Sequence, residues 1–440
     1  MQYIPNILFV IALVLGIGYF TKNVKKLIRN IRLGKDVDRS DNKSERLNNM
    51  IRIALGQSKM VRRPIAGFLH VIVYVGFIII NIEVLEIIID GIFGTHRIFA
   101  FLGGFYDFLI GSFEILALLV FVSVIIFWIR RNAINIARFK SLKGWPKNDG
   151  NNILYFEMVL MGLFLTMNAA DLQLQELGAD HYIKAGAYPV SQYIAPLFEG
   201  MSQGTLLIVE RAAWWLHILG ILVFLNYLYF SKHLHILLAF PNTYYANLKP
   251  QGQFDNLEAV TKEVMLMMDP SADPFAAAPE GEEEAVPEKF GASDVMDLNW
   301  VQLLNAYTCT ECGRCTSECP ANQTGKKLSP RKIMMDTRDR LEEVGKNIDK
   351  NGNFEDDGKQ LLNDYITTEE LWACTSCNAC VEACPVSINP LSIIMDMRRY
   401  LVMEQSAAPS DLNNMMSNIE NNGAPWPFNQ MDRANWANEQ

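Results

Sequence analysis

The sequence contains no GxGxxG dinucleotide fingerprint, no P-loop and no recognisable nucleophile motif. Hydride transfer to a nucleotide, phosphoryl transfer and covalent catalysis by the chain itself therefore have no carrier in it. No cysteine lies outside two short runs near the C-terminal end, so no thiol is left over for a disulfide framework. The last 200 residues hold 16 Lys and Arg against 32 Asp and Glu. That balance excludes nucleic acid as a partner, because binding it needs clustered cations to replace counterions. No segment alternates convincingly between apolar and polar residues, so no strand is expected.

What is present divides into two unlike halves. Residues 1–240 carry 23 Lys and Arg against 16 Asp and Glu and are strongly apolar. A mildly basic apolar half followed by an acidic polar half predicts a membrane domain over 1–245, an acidic linker over 246–290 and a water-soluble domain over 291–440. The linker contains Asp269-Pro270, Asp273-Pro274 and the cluster Glu280, Glu282, Glu283, Glu284, with too little apolar surface to offset its ordering entropy.

Five segments are expected to cross a membrane: about 4–21, 64–89, 104–129, 153–170 and 207–240. Pro64–Ile82 has no charge over 19 residues, enough to cross most of a hydrocarbon core. The fourth segment is short and carries Glu157. Ile4–Phe20 has no basic region before it and is followed by Lys22, Lys25, Lys26, Arg29 and Arg32, the flank of a retained anchor rather than a cleaved signal peptide. Connections 21–63 and 130–152 hold thirteen and six Lys/Arg, whereas 90–103 and 171–206 hold one each, Arg97 and Lys184. Positive loops stay inside. The expected placement is thus a multi-pass protein of the bacterial inner membrane, N-terminus outside and soluble half in the cytoplasm.

The strongest signal is a doubled run, Cys309-x2-Cys312-x2-Cys315-x3-Cys319-Pro320 and Cys374-x2-Cys377-x2-Cys380-x3-Cys384-Pro385. Three thiolates spaced by two residues wrap one face of an iron–sulfur cube, and the fourth cysteine of each run ligates the other cluster in two-cluster ferredoxins. The expected sets are Cys309, Cys312, Cys315 and Cys384 for one [4Fe–4S] cluster, and Cys374, Cys377, Cys380 and Cys319 for the second. Structural zinc uses paired CxxC knuckles and would leave half of each run unexplained. Disulfides are disfavoured in the cytoplasm.

The 54 residues between Cys319 and Cys374 are too many for a compact, strand-containing ferredoxin. Within them Ser329–Leu341 and Thr367–Cys374 carry helix-start signals, and Asn347–Gly358 is polar and Gly/Asn/Asp-rich, hence a loop. The pattern resembles the α-helical ferredoxin domain of the succinate dehydrogenase iron–sulfur subunit. The expected fold class is all-α: a five-helix transmembrane domain plus a cytoplasmic α-helical ferredoxin domain with two [4Fe–4S] clusters.

A closer resemblance lies in Phe290-Gly-Ala-Ser-Asp, Cys312-Gly-Arg-Cys, Leu328-Ser-Pro-Arg, Glu369-Glu-Leu-Trp-Ala-Cys, Met397-Arg-Arg-Tyr-Leu-Val and Ala424-Pro-Trp-Pro…Arg433-Ala-Asn-Trp436. These are similar to the membrane iron–sulfur oxidoreductases linked to electron-transfer flavoprotein and menaquinone, relatives of the heterodisulfide reductase electron-transfer subunits. In long members of that family a cysteine-rich region with paired CCG motifs follows. Here the sequence ends at Gln440, and the resemblance implies that this region is a separate subunit.

A haem b needs two imidazoles at one depth on facing helices. His70 is seven residues past Arg63 and His235 six before Pro241, so both fall at the cytoplasmic end of antiparallel helices. His217 precedes His235 by 18 residues, about 27 Å along a continuous helix. The arrangement resembles the nitrate reductase gamma-type haem b subunit, and Phe230-Ser-Lys-His-Leu-His-Ile resembles its distal-ligand segment. Where that family has a further histidine ten residues on, this sequence has Ile80, which leaves a second haem at His217 without an evident partner. His233 is an alternative to His235, and His96 and His181 are expected at the surface. Glu83, Glu86, Glu114 and Glu157 are costly in lipid; each is expected to be interfacial or snorkelling, unless it exchanges protons with a quinone.

The function expected is electron transfer between a cytoplasmic partner (an electron-transfer flavoprotein or a CCG-type catalytic subunit) and the quinone pool. The alternatives are the electron-transfer subunit of a heterodisulfide-type reductase, and a redox sensor or ion-translocating component.

Overall fold

The apolar run at the N-terminus continues without a helix breaker into the basic stretch after Phe20, and a single helix, α1 (Ile4–Ile31), covers both. The computed structural model describes residues 3–134, 136–140, 142–269 and 289–438. The expected linker residues Asp273, Pro274, Glu280, Glu282, Glu283 and Glu284 lie outside that set. The described part of the stretch contains a helix, Glu258–Met268.

Four further long apolar helices follow: α2 (Pro64–Phe93), α3 (Gly104–Asn132), α4 (Trp145–Glu176) and α5 (Gln203–Leu228). All five are long and apolar enough to cross a membrane. Pro64 and Pro146 open their helices in the first turn, where the missing N–H costs nothing. The fourth helix is much longer than its apolar centre suggests, because its polar start is bound: Asp149 accepts from the Tyr227 hydroxyl at 2.7 Å and the Lys232 amide at 3.1 Å.

The fifth expected segment does not remain one helix. The chain leaves helical geometry at Ser231, whose hydroxyl accepts from the His233 amide. After the short turn Lys232–Leu234 a new helix, α6 (His235–Tyr244), begins. His217 and His235 therefore stand on different helices, and an axial spacing along one helix does not apply.

Helices α1 to α5 pack side by side, with α4 against α5 and α3 against both α2 and α4. Their shared core runs through Phe9, Tyr106, Ile110, Phe113, Phe164, Trp214 and Ile218. Large apolar residues such as Val14, Leu15, Phe68, Phe77 and Ile208 point outward and are exposed, the surface a lipid phase would cover.

The C-terminal region is helical and carries no strand among the described residues. It contains α7 (Trp300–Thr308), α8 (Pro330–Asn351), α9 (Thr368–Trp372) and α10 (Pro390–Arg399). Capping boxes at Asn299/Gln302 and Thr367/Glu370 start α7 and α9, satisfying otherwise orphaned amides. α8 extends past Asn347, where a loop is expected, because Val344 and Gly345 are buried and the turn closes only at Gly352, φ 86°. The interior ion Arg340, 0 % exposed, binds Asp294 at 2.8 Å and Asp357 at 2.6 Å.

This region packs directly onto the basic end of the bundle. Leu27, Ile153, Phe224 and Leu228 belong to the same core as Leu303, Ile333, Leu371 and Ile394. Lys26 and Arg29 of α1 both reach Asp349 at 2.5 Å. A Cβ at Gly345 would stand 2.5 Å from the Asn30 side-chain amide, which would have to shift.

Candidate functional site

The two cysteine runs adopt the same local backbone. In each, the residues flanking the second cysteine are left-handed: Glu311 (φ 54°) and Gly313 (φ 73°), then Ser376 (φ 56°) and Asn378 (φ 59°). Two such positions around one residue turn the chain back twice and close a tight concavity. Cys309, Cys312 and Cys315 line one small cavity together with Cys384 and Cys380 of the other run. Cys319 in turn lies within electrostatic reach of Cys374 and Cys380. Backbone amides approach the sulfurs, Ser376 N to Cys374 Sγ at 3.4 Å and Ile388 N to Cys384 Sγ at 3.3 Å.

Burial pushes the Cys309 and Cys380 thiols up to about 12 and the Cys384 thiol to about 11. Thiols so buried become thiolates only where cationic iron replaces the proton. Among the described residues no three Cys, His, Asp or Glu side chains converge as they would around one ion; thiols spread around a cavity suit a multi-atom cluster better than mononuclear zinc.

The first run faces the membrane domain. Arg314 donates to the Met60 carbonyl at 3.3 Å, and Arg331 donates to the Arg138 carbonyl at 2.8 Å. Glu311, 3 % exposed, pairs with Lys232 and, at 2.8 Å, with Arg338. Burial raises the Glu311 carboxyl, but these two cations more than offset that and hold it below the usual carboxylate range. Lys232 ties several of these groups together. Its ammonium binds Glu311, its amide donates to Asp149, and its carbonyl faces His235 Nδ1 at 3.0 Å. The second run is more open: Cys377 is exposed, and Arg398 spans the Cys374 and Leu371 carbonyls from below. A cleft of about 630 Å³ lies beside it, lined in part by Asn378, Val381, Glu382 and Met395.

His70 and His235 come together, their ring centroids 6.5 Å apart and tilted 40°. The Lys232 carbonyl engages His235 Nδ1 and leaves Nε2 free, while His70 Nδ1 is buried without a hydrogen-bond partner. His233 is adjacent, its ring 5.4 Å from His235, and its Nε2 is 3.7 Å from Glu157. Burial, then the neighbouring imidazoles, hold His233 well below its ordinary value, and burial lowers His235. His217, 2 % exposed, sits apart in the bundle with Nδ1 3.0 Å from the Leu160 carbonyl and Phe164 as its ring neighbour.

At the other end of the bundle two sequence expectations are corrected. His96 is half-buried rather than free at the surface: its Nε2 is 3.4 Å from Asp171 and its ring 4.7 Å from Tyr182. His181 is exposed, as expected. Glu83, Glu86 and Glu114 do not snorkel; they are 3 %, 3 % and 0 % exposed. They gather around Arg97, the lone basic residue of its loop, because that side chain folds inward onto Asp171 at 2.7 Å and Asn168 at 2.9 Å. Sequence reading missed the Arg97 set and the Lys232–Glu311–Arg338 set. The available signal was a charged residue inside an apolar or cysteine-rich setting, where desolvation demands a partner.

Comparison with known proteins agrees with the motifs. Residues 308–388 match the 4Fe-4S dicluster domain. Over 98% of its length the chain is 28% identical to a Bacillus subtilis protein named "Probable iron-sulfur-binding oxidoreductase FadF", covering 61% of that protein. It is 26% identical over 92% of its length to the EtfAB:quinone oxidoreductase of Syntrophomonas wolfei, covering 55% of it. Over 27% of its length the chain is 30% identical to one component of the ferredoxin/F420H2-dependent CoB-CoM heterodisulfide reductase of Methanosarcina acetivorans, covering 60% of that component. The chain thus spans just over half the length of the curated relatives that it matches along most of its own. No solved structure matches it significantly.

Proposed function

We propose that this chain carries electrons between a soluble protein and membrane quinone, through two [4Fe–4S] clusters and one b-type haem. The carrying observation is the His70–His235 pair, set at the same end of the bundle as the cysteine cavity. With metal–nitrogen bonds of about 2 Å and ring centroids about 1 Å beyond each nitrogen, two axial imidazoles stand on the order of 6 Å apart, which the observed 6.5 Å fits. A carbonyl on His235 Nδ1 is the outer-shell contact that orients a ligating imidazole.

In this reading Cys309, Cys312, Cys315 and Cys384 hold the cluster next to the membrane domain. Cys374, Cys377, Cys380 and Cys319 hold the other. The clusters and haem supply one-electron carriage; the chain sets their spacing and excludes water. Exposed Cys377 and the cleft beside it support entry of electrons from a partner at the second cluster. The relative named EtfAB:quinone oxidoreductase supports an electron-transfer flavoprotein as that partner and a quinone, menaquinone by resemblance, as the membrane substrate. Residues 1–245 form the membrane part and 291–440 the dicluster part. The basic connections favour an inner membrane with the dicluster part cytoplasmic.

A second reading, an electron-transfer subunit serving a CCG-type heterodisulfide reductase, is favoured by the likeness of part of the chain to heterodisulfide reductase subunits. Purification of the native complex tests both. The expected result is a reduced-minus-oxidised b-type band, two cluster signals in electron paramagnetic resonance, and either a flavoprotein or a cysteine-rich subunit in the preparation. A complex with normal clusters and no haem absorbance refutes the haem step.

A further inference from the structure

The end of the membrane bundle remote from the cysteines encloses more negative than positive charge. Glu83, Glu86, Glu114 and Asp171 face one guanidinium, Arg97, and all five residues are at most 6 % exposed. Isolated charges so buried are sustained only when paired and hydrogen-bonded. Three of the carboxyls have hydrogen bonds, and Asp171 also has an ion pair. Glu86 accepts from the Phe99 amide at 2.8 Å and the Tyr106 hydroxyl at 2.9 Å. Glu114 accepts from Asn168 at 3.2 Å and from the Val190 and Ser191 amides at 2.8 and 3.0 Å. Asp171 takes the Arg97 fork and Gln175.

Glu83 differs. Its Oε2 is buried without any partner, and its Oε1 is 3.8 Å from an Arg97 guanidinium already committed to Asp171, Asn168 and Tyr106. A proton on that carboxyl removes a buried charge and weakens only the 3.8 Å approach to Arg97. His96, 3.4 Å from Asp171, retains 16% side-chain exposure, so the cluster borders water at that point.

We propose that Glu83 is the proton-binding carboxyl of this buried cluster, exchanging its proton with water on this face of the bundle. The proton comes from water on that face, resides on the Glu83 carboxyl, and returns to that face when released. The groups facing it are Glu86 on its own helix, Arg97 in the following loop, Glu114 on α3 and Asp171 on α4. The proposal is independent of the electron carriers and stands or falls without them.

Infrared difference spectra between high and low pH, taken on the full chain with its cofactors in lipid nanodiscs, provide the test. Wild type should give a deuterium-sensitive carboxylic-acid C=O band that disappears as pH rises. Glu83→Gln should abolish that band, and Glu86→Gln should retain it. If Glu83→Gln fails to fold, Glu83→Asp should move the band rather than remove it. A band unchanged in Glu83→Gln or unmoved in Glu83→Asp, one lost in Glu86→Gln instead, or no band in wild type overturns the proposal. Loss of the wild-type band on adding sodium chloride at constant pH also overturns it, in favour of a cation site.

Discussion

Replacing Lys232 by methionine tests the link between the two halves of the proposed electron path. The ammonium is 9% exposed and pairs with Glu311, itself 2% exposed by side chain; it also donates to the Pro146 carbonyl at 2.6 Å. Removing one partner of a buried pair typically costs about 3–5 kcal/mol when the other charge is stranded. Glu311 is not wholly stranded, because Arg338 stays at 2.8 Å, so the loss is nearer one charged hydrogen bond, about 2 kcal/mol. That loss falls on the loop between Cys309 and Cys312, where Glu311 holds a left-handed backbone conformation that L-residues adopt at a cost. A local destabilisation of about 2 kcal/mol makes opening about 30-fold more frequent. Iron release to a chelator, followed by the decay of each cluster signal, should accelerate by about that factor. The effect should be confined to the cluster of Cys309, Cys312 and Cys315. Lys232→Arg should restore most of the protection, and Glu311→Gln combined with Lys232→Met should cost less than the two singles summed, since they share one interaction. Iron release from Lys232→Met at the wild-type rate would refute the pairing as a determinant of the cluster loop.

Cys319→Ser should damage the cluster held by Cys374, Cys377 and Cys380; iron counting with electron paramagnetic resonance would reverse the assignment if only the other cluster is lost. His70→Ala and His235→Ala should each abolish the same b-type band while cluster signals persist, and retention of the band in either variant argues against that ligand. His217→Ala should leave that band intact. Arg340→Met removes the charged hydrogen bonds to Asp294 and Asp357, which keep backbone donors, and should destabilise the dicluster region by about 2–3 kcal/mol, read as loss of both cluster signals at a temperature wild type tolerates. The Arg340 hydrogen bond holds the Asp357 carboxyl below its usual range. Its contribution is therefore fully present above the ordinary aspartate value of about 3.9 and is lost as pH falls through the lower folded-state value. Asp357→Asn should flatten the acid limb of a stability profile, and an unchanged limb would count against the pair.

The local patterns were legible in the sequence because they are set by nearest neighbours. Charge-free apolar runs specify helices wherever they fold, and the repeated spacing of the cysteines specifies two similar loops, whose left-handed residues the structure adds. Distribution of Lys and Arg separated the two ends of the bundle, and the dicluster region does pack on the basic one. The meeting of His70 and His235 was readable only in part: His70 is counted from the start of α2, whereas the fifth helix along which His235 was counted ends at Leu228.

What only the tertiary structure decided are the relations between residues far apart in sequence. The interruption at Ser231 depends on Asp149, 83 residues from the Lys232 amide it accepts, and no periodicity encodes such a contact. The extension of α1 becomes a docking surface only because Asp349 and Gly345 meet it. Glu83, Glu86 and Glu114 read individually as interfacial acids, since a single helix cannot reveal that Arg97 folds back among them. Hydropathy records the cost of a buried charge but not its partner, and partners are supplied by the packing of α2, α3 and α4. The same limit applies to Lys232. Its place beside His235 was visible in sequence, whereas its hold on Glu311 arises only when the dicluster region closes onto the membrane domain and excludes water from both charges.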